Sequence, residues 1–192
     1  MKGEMFKMNI LKPKLQFDRV KNILVGINVK HYKKHLKDVL HLYADADVSI
    51  YNHETIMYEV YSYGEGDEDK QGNLLYGLTV MYPVYIKNEC NMTQGHFHVD
   101  KNCAEYYFGI EGEGLLLLMN EQREMYVEKV FPGSIHYIDG KYAHRLVNTG
   151  DSVFKVAACW PTTAGHDYEA VRKGEFPYRV YKINGKIEFV KR

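Results

Sequence analysis

The sequence predicts an all-β fold, a sandwich or barrel of short strands with an extended N-terminal arm and one or a few short helices. Two observations carry this. From residue 55 onward, short runs rich in β-branched and aromatic residues recur to the end of the chain, and Pro132-Gly133, Asp139-Gly140 and Thr149-Gly150-Asp151 break them at frequent intervals. Many short strands with regular turns build a sandwich or a barrel. A third fits a barrel with a wet interior: the 17 tyrosines can pack by the ring while offering a hydroxyl to a polar cavity.

Taken in order, residues 1–26 carry Pro13 and scattered charges and read as an extended arm with one strand at 21–25. Residues 29–42 place Val29, Tyr32, Leu36, Val39 and Leu40 at near-helical spacing and predict an amphipathic helix. His31 and His35 are spaced i,i+4 on it, but the glutamate of a zinc-protease helix is missing, so both read as solvated. Strands follow at 55–61 and 74–82, joined by the polar, glycine-bearing stretch 64–73. That stretch lacks the ligand order of a calcium loop and reads as a solvated hairpin end. Further strands are predicted at 95–99, 104–110, 114–119, 125–130, 134–138, 144–148 and 153–159. The tail folds back as a hairpin about Asn184-Gly185, a pair suited to a type I′ turn.

One domain over residues 1–192 is expected, with arm and helix to about residue 50 and the barrel from about 51. The 25 basic and 25 acidic side chains cancel, which gives no chain-wide case for nucleic acid or an anionic membrane. No stretch approaches the roughly 20 apolar residues of a spanning helix, and the charged start lacks a signal peptide's apolar core. Cys90, Cys103 and Cys159 are odd in number and unpaired in spacing, so a reducing, cytoplasmic setting is expected.

The chemistry centres on Gly95-His96-Phe97-His98. In a strand, His96 and His98 would face one side and Phe97 the other. Glu105, opening an aromatic strand, and His144 would complete a mixed nitrogen and oxygen set for a divalent metal with open positions. His-x-His pairs also occur as ordinary partly buried histidines. His136, between Ile135 and Tyr137, has no place in the set and reads as structural.

His96, His98, Glu105 and Gly112, followed by Gly133, His144 and Asn148, resemble the two motifs of a cupin, a jelly-roll β-barrel. The gap from His98 to Glu105 is longer than usual, and Asp139 stands where proline is common. Thr93-Gln94-Gly95-His96-Phe97-His98, Ala104-Glu105-Tyr106-Tyr107, Ala143-His144-Arg145-Leu146-Val147-Asn148 and Ala164-Gly165-His166-Asp167-Tyr168 together resemble the cupin-type glucose-6-phosphate isomerases. The resemblance implies a cytosolic homodimer with one divalent ion per subunit, iron first, with zinc, manganese or nickel as alternatives. It also implies interconversion of glucose 6-phosphate and fructose 6-phosphate. It makes His96, His98, Glu105 and His144 the metal ligands; the working mechanism takes Glu105 as the base with His166 and Tyr168 assisting ring opening, and its rival is a direct hydride shift with Glu105 as ligand alone. Tyr58, Thr79, Thr93, Gly95, Tyr107, His166 and Tyr168 would form the sugar-phosphate pocket. Read as residues alone, Tyr58 and Thr79 fit ordinary strand positions equally well, and His166 fits a turn.

In enzymes it resembles, the position of Trp160 usually carries tyrosine; indole can donate a hydrogen bond but cannot accept one. Two other classes fit the motifs: a different metal cupin such as a dioxygenase, and a sugar-binding cupin without turnover.

Overall fold

The computed structural model describes residues 8–44, 50–66, 70–173 and 175–192. Strands β1 (Leu15–Asp18) and β2 (Ile23–Gly26) form a hairpin. Next come β3 (Lys30–His35), the one-turn helix α1 (Leu36–Val39) with a 3₁₀ turn (Leu40–Leu42), β4 (Ile56–Gly64) and β5 (Leu74–Met81). The chain continues through β6 (Tyr85–Ile86), β7 (Glu89–Met92), β8 (Glu105–Glu111), β9 (Gly114–Met119), β10 (Met125–Val130), β11 (Ile135–Ile138), β12 (Ala143–Asn148) and β13 (Phe154–Pro161). Helix α2 (Tyr168–Lys173) and the hairpin β14 (Tyr178–Ile183) with β15 (Lys186–Lys191) close it.

Two antiparallel sheets face each other. One runs β11-β8-β13-β5-β4-β3; the other runs β10-β9-β12-β7-β14-β15, with β6 paired to β7. Period-two alternation decides what lies between them. On β5 and β13 the partners Met81 and Phe154 point inward and are fully buried, as is Val156. Leu78, Val80 and Ala157 point outward and are covered by Leu24, Leu15 and Phe17 of the β1-β2 hairpin. The arm therefore shields the back of the sheet from water. Truncating Phe154 to alanine would cost about 3–5 kcal/mol, as large core truncations do. At the tail, Asn184 (φ 51°) and Gly185 (φ 76°) adopt the paired positive φ that a type I′ turn demands.

Three expectations need correcting. The predicted helix over residues 29–42 is a strand followed by a single helical turn, because Lys30–His35 pairs with β4, from Lys30 opposite Ser62 to His35 opposite Ile56. Only the second half of the apolar spacing is helical, and there Leu36 and Val39 are buried. The predicted strand at 95–99 is irregular, held by isolated bridges from His96 to His144 and from Phe97 to Asp167. Strands do not run unbroken to the tail, since α2 and a 3₁₀ turn (Thr162–Ala164) intervene. The polar stretch 64–73 does close a β4-β5 hairpin, with Gly64 opposite Leu75; residues 67–69 lie outside the described residues. The three thiols are free. Among the described residues no helix is long and apolar enough to cross a membrane.

Candidate metal centre

His144 is the second residue of β12 and Glu105 the first of β8, so the two facing sheets each contribute a donor. The segment carrying His96 and His98 is tied to β12 by reciprocal bonds: His96 N–H donates to His144 O (3.3 Å) and His144 N–H to His96 O (3.0 Å). Phe97 turns the other way and is buried, with Lys101 Nζ 3.8 Å above its ring. Alternation survives without a regular strand. Gly95 makes the approach possible: at φ 74°, a Cβ there would lie 3.0 Å from Phe176 and 3.1 Å from His144 O.

One donor atom from each of His96, His98, Glu105 and His144 lies within 4.8 Å of the other three. Donors sharing one ion at bonds of about 2.1 Å stand roughly 3–4 Å apart, so the widest pair must close by roughly 1–2 Å. Three features suit it to a cation. Nε2 of His96 and of His144 are buried with no hydrogen-bond partner; His144 Nε2 is 3.1 Å from Glu105 Oε2 but is not angled to bond it. His98 uses Nδ1 on Cys103 O at 2.7 Å, which sets its tautomer from outside the cluster. In its neutral form His98 turns a lone pair on Nε2 toward Glu105 Oε2, 3.3 Å away; burial opposes charge there, yet Glu105 and Cys103 O hold the imidazole above its ordinary value. Two acceptors at that distance need a proton or a cation between them.

The electrostatics agree. Burial, reinforced by His144, His166 and His98, pushes His96 well below the usual imidazole range, so it is held neutral. Burial opposes charge on Glu105, yet the His144 and His98 imidazoles set against it keep the carboxyl below its ordinary value. A neutral imidazole beside a carboxylate is a metal-ready pair.

Above the cluster opens a cavity of about 760 Å³. Of the residues named in the sequence reading, Tyr58, Thr93, Gly95, Tyr107, His166 and Tyr168 line it with His96, Glu105 and His144. His166 stacks on Tyr168 (centroids 5.8 Å apart, planes 10°) and meets His96 edge-on at 4.3 Å. Tyr107 sits 5.7 Å from His144. Thr79 shares the inward face, opposite Val60, but is not part of the cavity lining. His136 is elsewhere, its nitrogens engaged by Glu128 (2.5 Å) and Ser134 (2.8 Å).

Sequence reasoning missed the β3 side of the cavity, where Tyr32, Lys33 and Lys34 stand, because that segment read as a helix. The period-two run Lys30, Tyr32, Lys34 was the signal available. It also missed Gln94 and the buried Arg145 behind it. Burial lowers that guanidinium to about 10, so it stays charged at neutral pH. A second groove, about 710 Å³, lies along β9, β10 and the tail hairpin, mostly apolar and without such a cluster.

Two facing antiparallel sheets around three histidines and a glutamate define a cupin. The sequence profile of glucose-6-phosphate isomerase (GPI) matches residues 33–192, and the chain belongs to that family. A glucose-6-phosphate isomerase of Thermococcus litoralis is 35% identical over 163 residues, 83% of this chain and 85% of that one. One from Thermococcus kodakarensis is 32% identical over 178 residues, 92% of each chain. One from Pyrococcus horikoshii is 36% identical over 137 residues, 71% of each.

Proposed function

We propose that the chain is a metal-dependent aldose–ketose isomerase that interconverts glucose 6-phosphate and fructose 6-phosphate. The observation that carries this is the cluster of His96, His98, Glu105 and His144, two of its imidazole nitrogens buried without partners, at the base of a hydroxyl-lined cavity. The isomerase relatives supply the substrate class.

These four side chains would hold one divalent ion, iron first. An ion held there would supply Lewis-acid polarisation of the sugar's carbonyl. The rest falls to the protein. Both histidine contacts of Glu105 run through Oε2, leaving Oε1 to act as base. Glu105 takes the proton from C2 of the open-chain aldose; the C2–H electron pair becomes the C1–C2 double bond, the C1 carbonyl pair moves onto O1, and the O2 proton passes to O1, leaving a cis-enediolate. Glu105 then returns the proton to C1 as the C2 carbonyl forms. His166 and Tyr168, stacked on each other beside His96, assist ring opening and orient the chain hydroxyls, help of a kind worth about 10²–10⁴-fold.

At the anionic end, Thr93, Gly95, Tyr58 and Tyr107 donate hydrogen bonds to phosphate oxygens, with Thr79 behind them. Thr93 Oγ1 already accepts from Leu146 N–H at 3.0 Å, so its own proton is free to be given. A cytosolic homodimer with one ion per subunit belongs to the same reading; free thiols suit that compartment.

The test is a coupled assay on fructose 6-phosphate with chelated and then metal-reloaded protein, mannose 6-phosphate serving as the specificity control. Turnover that vanishes on chelation and returns on reloading supports the reading. Ligand binding without turnover would point to a sugar-binding cupin, and oxygen uptake with substrate to an oxygenase.

A further inference from the structure

Arg145 follows the metal-cluster residue His144 on β12, and its side chain goes to the opposite side of the strand, away from the cavity. It is 3% exposed. Its contacts are few for a buried guanidinium: Nη2 donates to Gln94 O at 2.6 Å, Nη1 reaches Met92 Sδ at 3.5 Å, and the group lies 4.5 Å over the Phe176 ring. Nε has no partner. No carboxylate among the described residues forms an ion pair with it; Glu175, on the same side, is engaged by Arg192. Burying a charge without a counter-ion is costly, and a methionine or leucine would fill such a site at less cost.

The bond to Gln94 O is the informative one. In a trans peptide the C=O and N–H point in opposite directions, and no cis peptide occurs among the described residues. Arg145 holds the Gln94 carbonyl on the outer side of β12, so the N–H of the same peptide, that of Gly95, is turned inward. Gln94 and Gly95 both line the cavity, and Gly95 N–H makes no hydrogen bond among the described residues. Gly95 carries no side chain to shield that hydrogen. A cation on the carbonyl oxygen also polarises the peptide, making its N–H a stronger donor to an anion.

We propose that Arg145 is a positioning residue for the phosphate end of the substrate, aiming and polarising the Gly95 N–H and supplying from behind the wall the positive charge that a phosphate dianion requires. This rests on the sugar-phosphate reading of the cavity and adds to it the residue that sets phosphate affinity.

The test compares charged and neutral ligands on metal-loaded enzyme. In Arg145→Gln, KM for fructose 6-phosphate and the inhibition constant for inorganic phosphate should both rise about tenfold or more, the scale of one charge-assisted hydrogen bond. kcat and the weak inhibition by unphosphorylated fructose should hardly move. Arg145→Lys, which keeps the charge and one donor, should recover part of the loss. Equal losses for phosphate and fructose, or a fall in kcat at unchanged KM, would overturn the proposal and leave Arg145 a packing residue. Parent enzyme that neither turns over fructose 6-phosphate nor binds phosphate would overturn the underlying reading instead. Should the variants not fold, the parent decides: in zinc-loaded, ¹⁵N-labelled protein the Gly95 amide proton should move downfield as inorganic phosphate is added. A resonance that stays put rejects the role.

Discussion

His96 and His144 face each other as an isolated antiparallel pair, joined by two backbone hydrogen bonds and with ring centroids 4.3 Å apart. Each leaves a buried Nε2 without a partner. The backbone bonds bring the rings together whether or not a metal is bound, so the centre is largely preorganised. His144→Ala should therefore remove metal and isomerase activity together while the fold persists. His136→Ala should spare both, because His136 spends its ring nitrogens on Glu128 and Ser134; its cost is a stability loss of about 1–3 kcal/mol. Metal content by elemental analysis and the coupled assay check this. Equal damage from both variants would break the ligand assignment.

Glu105 is 4% exposed and reaches both His98 and His144 through one oxygen. If its other oxygen is the base, Glu105→Gln should lower kcat by about 10²–10⁴-fold. Parent enzyme turning over fructose 6-phosphate in D₂O should place deuterium on C2 of the glucose 6-phosphate formed. NMR of the product reads this directly. Product free of deuterium, together with an active Glu105→Gln, would move the mechanism to a hydride shift.

Trp160 is the single tryptophan of the chain and lines the cavity 6.5 Å from His166. Its indole lies flush on Gly77, where an added Cβ would meet the ring at 2.9 Å. Gly77→Ala should tip the indole toward the sugar and raise KM more than it lowers kcat. Fructose 6-phosphate binding should change the intrinsic fluorescence of the parent, and less so that of Gly77→Ala. A KM unaltered by the substitution would mean the indole stands clear of the substrate.

The strands from β8 onward were legible because alternation and turn residues agree there, and the Asn184-Gly185 turn could be read from two residues. β3 was not, since Val29, Tyr32 and Leu36 imitate helical spacing and only pairing with β4 decides otherwise. β7 was hidden by buried polar residues: Glu89 is rescued by Arg179 at 2.8 Å, and Asn91 by the carbonyls of Met57 and Tyr82. α2, at six residues, is too short for periodicity to declare it. The ligand motifs stood out as a pattern, but Arg145 and Gln94 act through a tertiary contact that no spacing encodes.

Glu59 links the edge strand β3 to the sheet. It is 7% exposed and accepts hydrogen bonds from Tyr82, from His31 and from Tyr61 (3.3 Å), with His31 stacked on Tyr61 at 4.1 Å. Burial alone would raise its carboxyl, but the bonds from Tyr82 and His31 outweigh it and hold the group below its ordinary value of 4.5. A carboxyl lowered on folding contributes stability above its unfolded value and loses that contribution as pH falls through the folded one. Glu59→Gln should therefore cost about 1–3 kcal/mol at neutral pH, and the gap to the parent should narrow as both are taken below about pH 4. Urea midpoints at the two pH values check this. A gap of the same size in acid would show that the side chain works by packing rather than by charge.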